Sequence, residues 1–245
     1  MKMSLFRCTT NYTNIFKYMF DMLFHNMSTV PITISNTGFK IYTKTESGYT
    51  FFINFPKEMF TEYEYNDSRE LYFGLGTLNS HDFKELTSKS EMEMYVDRRK
   101  SELETIVLNI RVKAPTRKFV KHFTMYSEEI PFIQAEPISR GNVSIQLTAQ
   151  DFTSLCKGFK SGIIQMNCTK DCFSIASKLD GVREKRFLFP LELTEPVAID
   201  ATFSADRLLG ILKVAMCAGK GLVLYIGATN LLICTQTHLG EINIS

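Results

Sequence analysis

The phrase ISNTGFKIYTK, Ile34 to Lys44, returns in the second half of the chain as CTKDCFSIASK, Cys168 to Lys178. A constant offset of 134 residues carries Phe39 onto Phe173, Ile41 onto Ile175 and Lys44 onto Lys178, and Thr43 falls on Ser177. A strand-like phrase written once in each half of a 245-residue chain points to internal duplication, so the architecture is expected to hold one unit twice. The length suits two domains of ordinary size, each with material for its own core.

The spacing of apolar residues fills in that unit. Thr10 to Asn26 sets Phe16, Met19, Phe20 and Leu23 on one side of a helix, and Thr148 to Lys160 does the same with Phe152, Leu155, Cys156 and Phe159. Ser204 to Ala218 repeats the pattern with Leu208, Ile211, Leu212 and Ala215. A shorter helix is expected over Ser80 to Lys89, with Phe83 and Leu86 inward and Ser80, like Ser204, as N-cap. The segments between are β-rich, among them TFFINFPKEMF, REKRFLFPLEL and EMEMYVDRRKSELETIVLNIRVK. Each half reads helix, strands, short helix, strands. The expected fold is α+β, with an N-terminal domain over 1–121, a connector over 122–142 carrying Glu128 and Glu129, and a C-terminal domain over 143–245.

Chemistry-bearing motifs are missing from the sequence. It has no GxSxG, P-loop, HExxH or glycine-rich dinucleotide turn, and Asp82, Asp151 and Asp206 each stand near a helix start, where capping accounts for them. The six cysteines form no CxxC and the four histidines lie apart from them, so buried reduced thiols are expected in place of a metal site. An enzyme is not expected, nor a cofactor. No run reaches the roughly 18 apolar residues of a membrane helix, and IFKYMFDMLF, with Lys17 and Asp21, suits an amphipathic helix better than a signal peptide. A soluble, intracellular protein is expected.

Charge is informative only locally, since the formal net charge is +2. At about 100° per residue, Lys157 lies opposite the apolar face of its helix, and Lys213 is spaced identically from Leu208. Lys17 and Lys84 each follow the first apolar anchor of their helices, Lys160 flanks its face, and Lys89 and Lys220 close theirs. Helices with basic outer faces suit a phosphate backbone bound without base readout.

Several segments resemble the sliding clamps of the proliferating cell nuclear antigen (PCNA) family. VSIQLTAQDFTSLCKGFKSGIIQMNCTKDCFSIASK, Val143 to Lys178, resembles the opening of that family's second domain, and SNTGFKIYTKTESGYTFFINF its first-domain strand pair. TMYSEEIPFIQAEPI resembles the acidic connector, and TFSADRLLGILKVA with GLVLYIGATNLLICTQTHL the closing helix and hairpin. The resemblance implies two duplicated clamp-type domains, helices on the inner face of antiparallel sheets, and a homotrimeric ring around double-stranded DNA. It implies a processivity factor for DNA polymerase and other replication and repair enzymes, bound through short peptide motifs, in the nucleus or at a viral replication site. The family's basic positions fall on Lys17, Lys84, Lys157 and Lys213, while Phe24 and Ser154 stand where basic residues are usual. Its partner pocket falls on Ile130, Pro131 and Phe132 with Pro137 and Ile138, on the loop from Lys44 to Tyr49, and on Ile242 and Ile244. Lys44 stands where an apolar residue is usual. The subunit edges are expected at Glu104 to Lys113 and Arg183 to Glu192. A composition with 20 Phe, 11 Met and no Trp suggests a large DNA virus as source. Two other readings compete: a viral transcription factor or monomeric processivity factor with the same fold, told apart by self-association, and an enzyme with an unfamiliar site, which would need a polar cleft.

Overall fold

The computed structural model describes residues 4–76, 86, 90–97, 105–114, 120–141, 143–159, 161–179, 183–192, 199–227 and 230–245. They divide into two compact units, Met1–Glu136 with Thr237–Ile242, and Pro137–Gln236 with Asn243–Ser245.

The first unit runs β1 (Ser4–Thr10), α1 (Thr13–Asn26), β2 (Thr29–Ser35), β3 (Gly38–Lys44), β4 (Thr50–Pro56), β5 (Glu62–Tyr65), β6 (Leu71–Gly76), β7 (Glu91–Asp97), β8 (Val107–Lys113) and β9 (Val120–Tyr126). One sheet has the order β5-β1-β7-β8-β9, and the other contains β4-β3-β2-β6. The alternation in Glu91-Met92-Glu93-Met94 becomes physical in β7, where Met92, Met94 and Val96 are buried and Glu91 is exposed. α1 buries Ile15, Phe16, Met19, Phe20, Met22 and Leu23. Phe16 sits edge-on to both Phe39 and Phe55, each with ring centroids 5.6 Å away. Gly38, at φ 144°, turns β2 into β3, and a Cβ there would lie 2.3 Å from the Phe55 carbonyl oxygen.

The second unit runs β10 (Val143–Leu147), α2 (Ala149–Gly158), β11 (Ile163–Cys168), β12 (Cys172–Leu179), β13 (Arg183–Pro190), β14 (Asp200–Ser204), α3 (Ala205–Gly210), α4 (Val214–Cys217), β15 (Leu222–Ile226) and β16 (Leu231–Gln236), while β17 (Glu241–Ile244) gives its first two residues to the first unit and its last two to the second. One sheet has the order β13-β12-β11-β14, and β10-β15-β16 form part of another. Thr148 caps α2 through a capping box, its hydroxyl accepting from the Asp151 amide at 3.0 Å. Ser204 caps α3 by accepting from the Asp206 amide at 3.3 Å.

The repeated phrase is a repeated strand pair in one register. Phe39 lies across from Phe55 and Phe173 from Phe189, with ring centroids 6.1 Å and 6.0 Å apart. Ile34 pairs with Phe39 as Cys168 pairs with Phe173, and Gly38 faces Pro56 as Cys172 faces Pro190. The offset of 134 read from one phrase therefore extends through β4 and β13.

Four expectations change. The first helix starts at Thr13, because Thr10 belongs to β1. The helix expected over Ser204 to Ala218 is two, α3 and α4, separated where Ile211 adopts φ −110° and ψ 6° after Gly210. β8 lies between β7 and β9, so the edge expected at Glu104 to Lys113 is an interior strand, and β9 is the end of that sheet. Val120–Tyr126, at the start of the expected connector, is a strand, because its backbone completes the ladder on β8. The helix expected over Ser80 to Lys89 lies outside the described residues except for Leu86, which is buried.

The duplicated register sets an energetic expectation. Phe39→Ala and Phe173→Ala should each cost about 3–5 kcal/mol of stability, measured by urea unfolding of the separate variants. A loss under about 1 kcal/mol at either site would show that its hairpin is not part of a cooperative core.

Candidate functional site

Four exposed cations of the second unit, Lys157, Arg207, Lys213 and Lys220, lie on or beside helices that pack together, α2 against both α3 and α4, while Arg140, Lys170, Lys185 and Arg186 are exposed elsewhere in it. α2 buries Phe152, Leu155 and Cys156 and leaves Lys157 and Ser154 exposed. Lys213 is exposed at the break just before α4, and Lys220 is exposed after it. Arg207 on α3 is also exposed, a cation that the sequence reading passed over although it directly precedes the buried Leu208. Lys17 in the first unit is half-buried and donates from Nζ to the Leu86 carbonyl at 3.2 Å, so part of its hydrogen-bonding capacity anchors α1. Lys84, Lys89 and Lys160 lie outside the described residues.

A second surface forms where the chain leaves β9 and crosses the first unit. Glu128 exchanges two backbone hydrogen bonds with Gly74 of β6, at 3.0 and 2.9 Å, and its carboxylate accepts from the Thr29 hydroxyl at 2.8 Å. Gly74 leaves room for this crossing, since a Cβ there would lie 2.6 Å from Thr29 Cγ2 and 2.8 Å from Ile130 Cγ2 and would force those side chains to shift. The Tyr72 hydroxyl donates to the Pro131 carbonyl at 3.0 Å, and the Tyr72 ring meets Phe132 edge-on at 5.1 Å. Phe132 is nevertheless 70% exposed. The segment ends at Glu136, whose carboxylate lies 2.7 Å from Lys44 Nζ at the end of β3. The hydrogen bond to Glu136 raises the Lys44 pKa above its ordinary value.

The structure brings Lys44, Ile130, Pro131 and Phe132 onto the surface of one unit and withdraws other expected docking residues. Tyr49 is buried with its ring 5.7 Å from Phe51, and the Thr45 hydroxyl accepts from its amide at 2.9 Å, closing the turn before β4. Ile242 and Ile244 are buried in β17, so they act as core and not as an open pocket wall. Pro137 is exposed and Ile138 half-buried in the second unit. Tyr72 and Glu136 were missed by sequence reasoning, because an outward aromatic on a strand and a carboxylate in a linker carry no local signal.

A polar depression of about 370 Å³ lies on the exposed face of the five-stranded sheet. There Glu93 joins Arg7 at 2.5 Å and Arg111 at 3.3 Å, Arg111 lies over Tyr95, and the Tyr95 hydroxyl is 3.2 Å from His122 Nε2. Cross-strand pairing accounts for this cluster, since Arg111 faces both Glu93 and His122 in the ladder. No group of three or more His, Cys, Asp or Glu residues suited to a metal occurs among the described residues. Burial pushes the thiols of Cys156 and Cys217 up to about 12 and raises that of Cys8, so none of the three is poised as a nucleophile.

Known proteins bear on these surfaces through fold. The chain is similar to the crystal structure of the proliferating cellular nuclear antigen from Entamoeba histolytica, with a TM-score of 0.81 and 15% identity over 99% of this chain and 98% of that one. It is also similar to the uncharacterized protein 084R of Frog virus 3 (isolate Goorha), 19% identical over 94% of this chain and 93% of that protein. No protein-family model matches. The chain has a divergent PCNA-like fold of two clamp-type domains.

The buried thiols carry a pH signature. Their pKa values are raised in the folded chain, so above about 8.5, the unfolded thiol value, the unfolded state loses protons first and stability falls as pH rises. In a mildly alkaline buffer a thiol reagent should label the half-exposed Cys172 and Cys234 and spare Cys8, Cys156 and Cys217 until the chain unfolds. Rapid native labelling of Cys156 or Cys217, read by peptide mass, would contradict the burial.

Proposed function

We propose that this chain is a DNA sliding clamp, a processivity factor that encircles duplex DNA and tethers replication and repair enzymes without catalysis of its own. The observation that carries the reading is a PCNA-like fold over 99% of the chain, entered twice through one duplicated unit. Its similarity to a Frog virus 3 protein supports a large DNA virus as source. Action at a viral replication site or in the nucleus follows from that reading.

Ring assembly needs two strand edges that can join. β9 and β13 stand at the ends of their sheets, and an unpaired end is a liability that association removes. Both expose apolar side chains: Val120 at 53% and Tyr126 at 65% on β9, and Leu188 at 61% on β13. Three chains joined β9 to β13 would close a homotrimer. Lys157, Lys213, Lys220 and Arg207 would meet phosphates from the helical side, and enzymes carrying short peptides with apolar anchors would dock at the connector.

Sedimentation of the full chain at micromolar concentration should give a trimer, and Leu188→Asp should lower its mass. A monomer across a hundredfold range of concentration would remove the ring and favour the monomeric processivity or transcription factor. The paired change Lys157→Glu and Lys213→Glu should weaken binding to duplexes of unrelated sequence by one common factor. The slope of log affinity against log salt should become shallower by roughly 0.9 for each phosphate that the variant no longer neutralises. Stability should move by no more than about 0.5 kcal/mol. Unchanged affinity at low salt would take these lysines off the DNA path, and a sequence-dependent loss would indicate base reading.

A further inference from the structure

Tyr42 and Lys44 are two residues apart on β3 and share the face opposite the buried Ile41 and Thr43. The Tyr42 hydroxyl is buried with no hydrogen-bond partner among the described residues. Such a group has lost water and gained nothing in return, which makes it a donor in want of an acceptor. Two residues along the same face of the strand, the Lys44 ammonium is occupied by Glu136. The pair is open to water on both sides, and exposed ion pairs contribute little to holding a segment in place. The connector is fixed upstream through Glu128, Pro131 and Phe132.

We infer that Lys44 and Tyr42 form an acid-reading subsite, in which a carboxylate from a partner's peptide replaces Glu136 on the ammonium and accepts the phenolic hydrogen. Glu136 is then a stand-in ligand supplied by the chain itself. The exchange conserves charge, because one carboxylate leaves the ammonium for water as another arrives. The net gain comes from the hydrogen bond that Tyr42 lacks. This rests on peptide docking at the connector, proposed above, and adds what the docked peptide must carry: an Asp or Glu beside its apolar anchors.

The probe is a phage-displayed library of random linear peptides, panned on the full chain and on Lys44→Met in parallel. Wild type should enrich an acidic residue at a fixed distance from apolar anchors, and Lys44→Met should enrich the anchors alone. By fluorescence anisotropy the best peptide should bind wild type roughly three- to tenfold tighter than its amide twin, with Asn or Gln for the acid. That ratio should vanish in Lys44→Met and shrink in Tyr42→Phe. Glu136→Gln should tighten the acidic peptide and leave the twin unchanged. Thermal melting of each variant checks folding. Equal affinity of acid and amide for wild type, with both sensitive to Phe132→Ala, overturns the subsite and leaves connector docking intact. Failure to enrich any peptide sensitive to Phe132→Ala overturns both.

Discussion

Strand register in the duplicated hairpins is the constraint on which the rest depends. A slip of one residue would turn Phe39, Ile41, Phe173 and Ile175 to solvent and bring Lys40, Tyr42, Ser174 and Ala176 into the core. Burying each Phe contributes about 1.5–3 kcal/mol, so such a slip is prohibitive in either unit. The aromatic pairs Phe39–Phe55 and Phe173–Phe189 tie register to ring packing. The same alternation that buries Ile41 and Thr43 presents Tyr42 and Lys44 on the opposite face, beside the connector. One parity choice sets both core and surface.

The duplication was legible because its signal is composition at fixed spacing, which burial enforces. Caps were legible for the same reason: Thr148 and Ser204 are local acceptors placed next to the amides they satisfy. Partnership between distant segments was not legible. β8 mixes apolar with charged residues, as an edge would, yet an interior strand whose last turns of the pleat reach water, at Arg111 and Lys113, does so too, and only β9 pairing on it decides. The split between α3 and α4 was hidden because Leu208, Ile211 and Ala215 are buried whether or not the helix is continuous. Ile242 and Ile244 read as a tail and fold as a buried strand.

The candidate site was half legible. Lys157 and Lys213 emerge exposed, although Lys213 sits at a helix break and not midway along a helix. Lys17 shows the limit of a helical wheel, since its ammonium spends a donor on a carbonyl 69 residues away. At the connector, Ile130, Pro131 and Phe132 were singled out by the resemblance to the clamp family. Tyr72 and Glu136, which fix its path, were not, because their partners lie 59 and 92 residues away in sequence.

The strand edges β9 and β13 belong to different sheets and differ in sequence, VKHFTMY against REKRFLFP. An assembly built by joining them is head-to-tail, and every chain in it points the same way round. Its two faces would be inequivalent, and a protein docked at the connector would always approach from the same side. The same asymmetry would make such an assembly open to poisoning. A chain damaged only at β13 would still offer a sound β9, so it would join a neighbour and then block closure. In a mixed population a minority of such chains would disable a disproportionate share of assemblies.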